Sequence, residues 1–224
     1  MRVTIVVFPG SNCDRDIFEA IKSISKKMPT LTWHKETNIE NSDLIVIPGG
    51  FTFGDYLRCG ALASNSPIIK SIKDHASRGG AILGICNGFQ ILTETKLLPG
   101  TLIRNSVLRF LCHNVDIIVQ DTLPSPFTWG FKPSTKLNIP IAHNEGNYYV
   151  NDNELKKLIF NGQIAFKYEE NYNPNGSVEN IAGVLSENGR ILGMMPHPER
   201  SVFNYHNSLD GKLFFKNLIQ QLLS

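Results

Sequence analysis

The sequence of 224 residues has few cysteines and none of the spacings that bind metals. Its four cysteines, Cys13, Cys59, Cys86 and Cys112, are widely separated and form no Cys-x-x-Cys pair. That distribution argues against a zinc ribbon, and the number is too small for a disulfide scaffold. No His-Glu-x-x-His motif occurs, and Cys112 and His113 are adjacent rather than at a metal-ligand spacing, so we expect no metal site.

The sequence also lacks an excess of one charge, long apolar runs and phosphate-binding loops. Its formal net charge of +2 is too small to attract nucleic acid or an anionic membrane. No apolar run approaches the roughly 20 residues of a membrane-spanning helix, and the short run at the start has no signal-peptide cleavage site. Neither Gly-x-Gly-x-x-Gly nor a P-loop pattern occurs, so nothing indicates a nucleotide phosphate site. We therefore expect a cytoplasmic protein that binds neither nucleic acid nor membranes.

What the first half does contain is an alternation of buried strands and helices. Apolar runs rich in β-branched residues predict strands that are buried on both faces, and periodic apolar stripes predict helices between them. The strands are predicted at residues 2–8, 43–47 and 80–85, and the helices at residues 11–24, 66–79 and 87–98. Ser11, Asn12 and Asp14 are the candidate N-caps of the first helix. Such alternation is typical of parallel βαβ units.

The second half consists of strands and turns before a last helix, predicted at residues 210–223. Residues 107–119 and 139–146 are predicted to contain strands, with a long irregular connection between them. Two apolar runs flank Asn188-Gly189, which predicts a hairpin with a type I′ turn. We therefore expect one α/β domain over residues 1–224, with a central, mostly parallel but mixed sheet flanked by helices.

The segment Gly84-Ile85-Cys86-Asn87-Gly88 has the form Gly-x-Cys-x-Gly at a predicted strand-to-helix turn. This is the thiol counterpart of the Gly-x-Ser-x-Gly nucleophile elbow, in which the glycines permit a sharp turn. A thiol in the first helical turn lies at the positive end of the helix dipole, which favours the thiolate. A small buried cysteine that only packs at such a turn fits the same pattern, so this motif alone leaves both interpretations open.

A thiol nucleophile needs a base, and among the histidines His197 has the most suitable setting. It lies between Pro196 and Pro198, which stiffen the chain, directly after the predicted hairpin. Glu199 is two residues further on, and in an extended segment residues i and i+2 project to the same side. On its own this histidine fits a surface turn better, but together with the Cys86 motif it favours a base oriented by a carboxylate.

Two more features lie beside this pair of motifs in the predicted fold. Gln90 is four residues after Cys86 and so shares its helix face, where it either lines a polar pocket or faces solvent. The Gly49-Gly50 pair follows a predicted strand at the edge of the sheet where α/β sites assemble. Its amide groups are candidate donors for an oxyanion.

With these motifs the sequence resembles the class I, or triad-type, glutamine amidotransferases. "GICNGFQ" and "PHPE" match that class. "FPGSNCDRD", "GGFTFGDYLRCGA", "IAHNEG" and "MPHPER" are similar to the glutaminase subunits of phosphoribosylformylglycinamidine synthase. Because these segments occur in the expected order from the first strand to near the end, the resemblance covers essentially the whole chain.

The resemblance implies a site residue by residue: Cys86 as nucleophile, His197 as base, Glu199 as its orienter, the Gly50 and Asn87 amides as oxyanion hole, and Gln90 and Phe51 as glutamine-binding residues. It also implies that glutamine is hydrolysed through a glutamyl thioester. The ammonia would pass to a large synthetase subunit that uses ATP and Mg to convert formylglycinamide ribonucleotide to formylglycinamidine ribonucleotide in purine biosynthesis. A small accessory subunit of the same complex is expected, and no cofactor in this chain.

The sequence departs from the family pattern at two positions. Asn144 stands in "HNEG" where glycine is usual, and His113 stands where arginine or lysine is usual. Two alternatives remain on the same scaffold. One is another triad enzyme, such as a γ-glutamyl hydrolase, a cysteine peptidase or the glutaminase of a different synthetase. The other is a catalytically silent binding module, which the intact Cys86, His197 and Glu199 argue against.

Overall fold

The computed structural model describes residues 1–39 and 41–224. In that part of the chain, nine strands form one mixed sheet, two short strands pair separately, and five α-helices pack around them. The strands are β1 (Val3–Val7), β2 (Thr30–Trp33), β3 (Leu44–Ile47), β4 (Ala81–Ile85), β5 (Thr101–Ile103), β6 (Leu111–Val119), β7 (Lys136–His143), β8 (Asn147–Tyr149), β9 (Ile164–Tyr168), β10 (Ile181–Leu185) and β11 (Ile191–Met194). The helices are α1 (Asp14–Ser25), α2 (Ile68–Ser77), α3 (Asn87–Glu94), α4 (Asp152–Phe160) and α5 (Asp210–Leu223).

One half of the main sheet is parallel. Its strand order is β2-β1-β3-β4-β11, and each neighbouring pair runs in the same direction. Every residue of β3 and β4 is buried, as their uninterrupted apolar sequences predict for strands covered on both faces. The α/β architecture is confirmed.

The other half continues as β10-β9-β6-β7 with antiparallel pairing throughout. Burial alternates along β7, as expected for a strand with one face on the core. Because two reversals restore the original direction, β9 and β7 point the same way as the five parallel strands. Of the nine strands of this sheet in the described residues, seven therefore share one direction. The expected mixed, mostly parallel sheet is confirmed.

The predicted hairpin forms, but its turn differs from the prediction. β10 and β11 pair antiparallel around residues 186–190. Gly189 has a φ of 67°, whereas Asn188 is not among the residues of positive φ, so the type I′ assignment was wrong. The Gly189 amide donates to the Ser186 carbonyl (2.9 Å), which closes a turn one residue earlier along the chain than predicted. A longer loop that contains one left-handed glycine reverses the chain here in place of a two-residue turn.

The start of α1 also differs from the prediction. Its N-cap is Cys13, and no side chain caps it, so the proposed caps Ser11, Asn12 and Asp14 were wrong. The Cys13 amide instead donates to the Gly49 carbonyl (3.3 Å). A contact with a residue far along the chain therefore decides where this helix begins.

Two elements after residue 151 were missed by the sequence analysis. α4 buries only Leu158, so its apolar stripe is weak, and β9 follows it directly. A local signal for α4 does exist, because Asn151 accepts from the Glu154 amide (2.9 Å) in the pattern of a capping box. In the described part of the chain, none of the helices has the length and apolar content needed to cross a membrane.

We predict that Gly211→Ala destabilises the fold. Gly211 lies in the first turn of α5, and a Cβ there would collide with the Pro198 carbonyl oxygen. Alanine would otherwise stabilise a helix by about 0.5–1 kcal/mol relative to glycine, so the close approach reverses the expected sign. Overpacking of this kind costs about 1–3 kcal/mol, which urea unfolding would measure.

The matched control is Lys216→Ala, at an exposed position of the same helix, where a change within about 0.5 kcal/mol is expected. A Gly211→Ala protein that is more stable than the wild type would contradict the close packing of α5 on the segment that follows His197.

Candidate active site

Cys86 lies at the sharp turn between β4 and α3. Its φ of 52° and ψ of −106° fall in a region that side chains rarely adopt, and its amide is held by the Met194 carbonyl of β11 (2.8 Å). A Cβ on Gly88 would collide with the Ile47 carbonyl, and one on Gly84 would come within 2.8 Å of the Gly88 backbone. Both glycines therefore let α3 pack directly on the sheet, as the elbow motif predicts.

His197 and Glu199 form a buried pair. Nδ1 of His197 lies 2.6 Å from Oε1 of Glu199, and each residue is about 1% exposed. The contact between residues i and i+2 forms as expected, but the extended conformation assumed for it was wrong, because Pro198–Arg200 forms a 3₁₀ turn that directly follows His197. In the described residues Nε2 of His197 is buried without a hydrogen-bond partner. Burial lowers the pKa of His197, but the Glu199 carboxylate and the Cys86 and Cys13 thiols raise it, and the balance lies well above the usual value.

The free edge of β7 contacts both the thiol and the histidine. The Pro140 carbonyl accepts from the His197 amide (2.8 Å), and the Ala142 carbonyl accepts from Sγ of Cys86 (3.6 Å). These carbonyls belong to alternate residues of one strand, so they point the same way. Proline fits this edge position because its missing N–H is not needed in the ladder with β6.

The side chains of His197, Cys13 and Cys86 all pack against Gly49. A Cβ built on it would lie 2.7 Å from Cε1 of His197, 3.1 Å from Sγ of Cys13 and 3.4 Å from Cβ of Cys86. The three side chains thus pack around one Cα atom, with the His197 ring beside Cys13 and Cys86. The sequence analysis considered this glycine pair only as a source of amide donors.

Cys13 is a residue of the site that sequence reasoning missed. Its thiol accepts from Nη2 of Arg200 (3.1 Å) and donates to Oδ1 of Asn12 (3.4 Å). Burial raises the pKa of the Cys13 thiol, so this cysteine is poorly suited to be the nucleophile. The only sequence signal was its place in "FPGSNCDRD", which was quoted for the resemblance alone.

Cys13, His197 and Glu199 each offer a potential metal-ligand atom, and these atoms lie within 4.8 Å of one another. A cation there would have to displace the Arg200 guanidinium from Cys13 and disrupt the bond between His197 and Glu199. The donor set is therefore already engaged by protein groups. The expected absence of a metal stays a prediction.

Gly50 and Asn87, the predicted oxyanion donors, flank this meeting point. Gly50 has a φ of 147°, and a Cβ there would lie 2.7–2.9 Å from the backbone of residues 10–12, so only glycine fits. Asn87 is the first residue of α3, where an amide has no intrahelical acceptor. Their role as oxyanion donors stays a prediction.

The Asn87 side chain joins α3 to the loop that follows β3. Its Oδ1 accepts from the Thr52 amide (3.2 Å), and its Nδ2 donates to Asp55 (3.2 Å) and to Oε1 of Gln90 (2.8 Å). This network is buried at Asn87 and Thr52. The Asn87 side chain is therefore held by three hydrogen bonds.

The loop itself, within "GGFTFGDYLRCGA", has unusual backbone geometry. Phe53, Asp55 and Leu57 all have positive φ, between 53° and 71°. After these residues, Arg58 forms a bidentate ion pair with Glu94 at the end of α3. Its Nε donates to Oε1 (2.6 Å) and its Nη2 donates to Oε2 (2.7 Å). Side chains in such conformations persist only when the surroundings impose them, and they concentrate at functional sites.

Gln90 is buried rather than exposed to solvent. It is 4% exposed, and its amide donates to the Cys86 carbonyl (3.1 Å), as expected one helical turn on. Its Nε2 donates to the Glu145 carbonyl (2.7 Å), while its Oε1 accepts from Asn87. Each end of this side-chain amide keeps one further hydrogen or lone pair that a ligand could use. Its role in binding stays a prediction.

The remaining residues singled out from the sequence are placed around this site without joining the buried pair. Phe51 is 46% exposed, and its ring lies 6.3 Å from that of Phe110. The Asn144 carbonyl accepts from a backbone amide, and Nε2 of His113 lies 2.7 Å from the Tyr172 hydroxyl. Neither departure from the family pattern has a hydrogen bond to His197 or Glu199 in the described residues.

His143, at the end of β7, is a second buried histidine beside the site, and no sequence argument had assigned it a role. Its Nδ1 lies 3.1 Å from Oδ1 of Asn105, and its Nε2 has no partner in the described residues. Burial, and then the neighbouring His197, lower the pKa of His143 to about 3. The ring is therefore neutral at physiological pH.

Comparisons with known proteins identify the family of the chain. A family model described as a CobB/CobQ-like glutamine amidotransferase domain matches residues 1–217. Over 219 residues the chain is 51% identical to the phosphoribosylformylglycinamidine synthase subunit PurQ of Roseobacter denitrificans, with 97% of each chain covered. Over 224 residues it is 44% identical to the subunit of the same name from a Nostoc species, covering 100% of this chain and 99% of that one.

Solved structures give the same result. A chain in the structure of PurLQS from Thermotoga maritima is 41% identical, with a TM-score of 0.86 and coverage of 99% of this chain and 98% of that one. A glutamine amidotransferase structure from Thermotoga maritima is 16% identical, with a TM-score of 0.61 and coverage of 100% and 98%. The second likeness concerns the fold alone.

We predict that His143 makes stability depend on pH. Because its pKa is about 3 in the folded protein and near 6.5 when unfolded, the unfolded chain binds more protons between these values. Its contribution is therefore complete above about pH 6.5 and declines, by up to about 1.4 kcal/mol per pH unit, as the pH falls toward 3. Urea unfolding of the wild type and His143→Asn at pH 7 and pH 4.5 measures this difference.

The stability of the wild type relative to His143→Asn should fall on acidification, because only the wild type has this group to titrate. Titratable groups distant from residue 143 contribute equally to both proteins and cancel in the comparison, whereas His197 is coupled to His143. A gap between the two proteins that is the same at both pH values would show that His143 does not titrate as proposed.

Proposed function

Because the chain belongs to the phosphoribosylformylglycinamidine synthase subunit PurQ family of glutamine amidotransferases, we propose that it is the glutaminase subunit of that synthase. In this role it hydrolyses glutamine to glutamate and ammonia. The ammonia serves the conversion of formylglycinamide ribonucleotide to formylglycinamidine ribonucleotide in purine biosynthesis. Residues 1–224 act as one glutamine amidotransferase domain, which the match over residues 1–217 supports.

The observation that carries this proposal is the strained Cys86 elbow beside a buried pair of His197 and Glu199. In a cysteine triad, a thiol nucleophile lies beside an imidazole base, and a carboxylate orients that base. A silent binding module would gain nothing from a strained cysteine conformation and a buried carboxylate, both of which cost stability.

In the first step, Sγ of Cys86 attacks the side-chain carbonyl carbon of glutamine while His197 takes the thiol proton. The carbonyl oxygen becomes an oxyanion between the amides of Gly50 and Asn87. When the C–N bond breaks, its electron pair goes to the nitrogen and His197 returns the proton to it. Ammonia leaves, and a glutamyl thioester remains on Cys86.

In the second step, water attacks the thioester with His197 as general base, which releases glutamate and restores the thiol. Glu199 holds the ring through Nδ1 and stabilises the imidazolium that forms in both steps. Gln90 and Phe51 contribute to the glutamine pocket. The buried side-chain amide of Gln90, one turn after Cys86, supports its part in this role.

The chemistry of this chain needs no cofactor or metal, since a thiol, an imidazole and a carboxylate supply every proton and bond. ATP and Mg belong to a large synthetase subunit, and a small accessory subunit completes the complex. The likeness to a chain of PurLQS supports both partners, since that name joins three subunits. We place the complex in the cytoplasm, where purine precursors are made.

We predict that Cys86→Ala abolishes glutamine hydrolysis while leaving ammonia-dependent synthesis intact. Loss of the nucleophile removes the thioester, but ammonia added to the solution bypasses it. The measurement is formation of formylglycinamidine ribonucleotide by the assembled complex with glutamine or with ammonium chloride. The matched control is Cys112→Ala, an exposed cysteine, which should keep both activities.

Full glutamine hydrolysis by Cys86→Ala would overturn the proposed function. Loss of both activities in Cys86→Ala, with Cys112→Ala intact, would assign Cys86 to the structure of the complex rather than to chemistry.

We further predict that mild hydrogen peroxide inactivates glutamine hydrolysis and that added thiol restores it. Sγ of Cys86 gives its proton to His197, as in glutamine hydrolysis, and displaces hydroxide from peroxide to form a sulfenic acid, which excess thiol reduces through a mixed disulfide. Cys112→Ala should be inactivated at the same rate. Full activity after peroxide treatment would contradict the assignment of Cys86 as the reactive nucleophile.

A further inference from the structure

A backbone amide fixes the orientation of the Asn87 side chain. The Thr52 amide can only donate a hydrogen bond, so the Asn87 atom that lies 3.2 Å from it is the oxygen Oδ1. The nitrogen Nδ2 therefore faces the other way, where it donates to Oε1 of Gln90 (2.8 Å) and to Oδ1 of Asp55 (3.2 Å). Both hydrogens of this nitrogen are in use, and Asn87 is fully buried.

The Gln90 side chain is held at both ends of its amide group. Its Oε1 accepts from Asn87, and its Nε2 donates to the Glu145 carbonyl (2.7 Å). Because a backbone carbonyl can only accept, this second bond also excludes the flipped amide. The hydrogen bonds therefore run in one direction, from the Thr52 amide through both side chains to the Glu145 carbonyl.

The loop that carries Thr52 packs closely on α3. A Cβ on Gly60, near the end of this loop, would lie 2.9 Å from the Ile91 nitrogen and 3.0 Å from the carbonyl carbon of Gln90. Contact this close is possible only because residue 60 has no side chain. The loop therefore holds the amide that donates to Asn87 at a fixed distance from the Gln90 backbone.

Gln90 lies beside the nucleophile and the end of β7. Its backbone amide donates to the Cys86 carbonyl (3.1 Å), which places the two residues one helical turn apart. The Glu145 carbonyl, which binds its side chain, is three residues after Ala142, whose carbonyl accepts from Sγ of Cys86 (3.6 Å). Gln90 keeps some accessible surface, at 4% against 0% for Asn87. Of the two residues, Gln90 is therefore the one that a ligand can contact.

The Gln90 amide has one donor and one acceptor left for a ligand. Nε2 has a second hydrogen and Oε1 has a second lone pair, and in the described residues neither is used. A carboxylate needs a donor and an ammonium group needs an acceptor, and an amino acid carries both on one carbon. That carbon in glutamine is three bonds from the carbonyl carbon that the thiol attacks, a length comparable to one helical turn of about 5.4 Å.

We propose that the side chain of Asn87 positions the Gln90 amide, so that Nε2 binds the α-carboxyl group of glutamine and Oε1 binds its α-amino group. This inference rests on the proposed glutaminase function and concerns the same site. Asn87 is a positioning residue in this role, because its side chain acts on the substrate only through Gln90. Its backbone amide serves the oxyanion, so one residue aligns both ends of the substrate.

The test compares Asn87→Leu, Gln90→Leu and the double variant in the assembled complex. Leucine has the branching of asparagine, carries no charge and keeps the backbone amide of residue 87, so only the side-chain hydrogen bonds are lost. The matched control is Asn153→Leu, at an exposed position of α4. Thermal unfolding shows whether each variant folds, and Asn87→Ser, whose hydroxyl is too short to reach Gln90, replaces a leucine variant that does not.

Two reagents that alkylate Cys86 separate substrate positioning from distortion of the elbow. The diazo ketone analogue of L-glutamine carries the α-amino and α-carboxyl groups. Its diazo carbon takes up a proton, and the thiol then displaces nitrogen gas. Iodoacetamide carries neither α-group, and the thiol displaces iodide from it. Mass spectrometry of the Cys86 peptide gives the rate constant for each reagent, and glutamate release gives kcat and KM for glutamine.

We expect Asn87→Leu to lower the rate constant for the diazo ketone about 3- to 10-fold, the range for loss of one neutral hydrogen bond. Gln90→Leu should lower it at least as much, and the double variant should match Gln90→Leu, because Asn87 acts through that side chain. Labelling by iodoacetamide should change less than about twofold, and KM for glutamine should rise in Asn87→Leu while kcat is nearly unchanged. Asn153→Leu should behave as the wild type.

Equal losses with both reagents would overturn the proposal and assign the Asn87 side chain to the structure of the elbow. A double variant whose loss is the product of the two single losses would show that Asn87 acts independently of Gln90. Labelling of Asn87→Leu by the diazo ketone at the wild-type rate would show that its side chain positions nothing that the substrate contacts. Failure of the wild-type complex to hydrolyse glutamine would contradict the proposed function itself, a result that is distinguishable from these three.

Discussion

The free edge of β7 is the constraint on which the site depends. Through Pro140 and Ala142 it contacts the backbone of the base and the thiol of the nucleophile. Eight residue pairs with β6 hold its register. A shift by one residue would turn every side chain of the strand to the other face and replace these carbonyls by others. The antiparallel half of the sheet therefore helps to hold the proposed site, although no proposed triad residue lies on it.

His197 and His143 show how neighbours decide the charge of a buried imidazole. Burial acts on both rings in the same direction and favours the neutral form. His197 has a carboxylate at 2.6 Å, which outweighs burial, whereas His143 has only the oxygen of an amide at 3.1 Å. One ring is thereby suited to exchanging protons and the other to accepting a hydrogen bond without exchanging them.

Local sequence was enough to predict the elements that carry the site. The elbow at Cys86 depends on neighbouring glycines, and the contact of His197 with Glu199 depends on residues two apart, so both could be read from spacing. The type of the hairpin turn was wrong because the dipeptide signal does not distinguish a two-residue loop from a longer one with a single left-handed glycine.

What could not be predicted depends on contacts between distant parts of the chain. Cys13 reaches the site because its amide bonds to Gly49, and the His143 ring is held by Asn105, 38 residues earlier, through its Nδ1. Neither fact has a local pattern. α4 was missed for a different reason, since a helix that buries one residue has almost no apolar stripe.

The pairing of β4 with β11 also has a consequence for how the protein is made. It joins residues 81–85 to residues 191–194, and the base follows at once. A ribosome therefore finishes the elbow more than 100 residues before it supplies the imidazole, and contacts this distant in sequence form late in folding. A nascent or truncated chain that ends before residue 197 therefore carries the strained Cys86 turn without the His197–Glu199 pair.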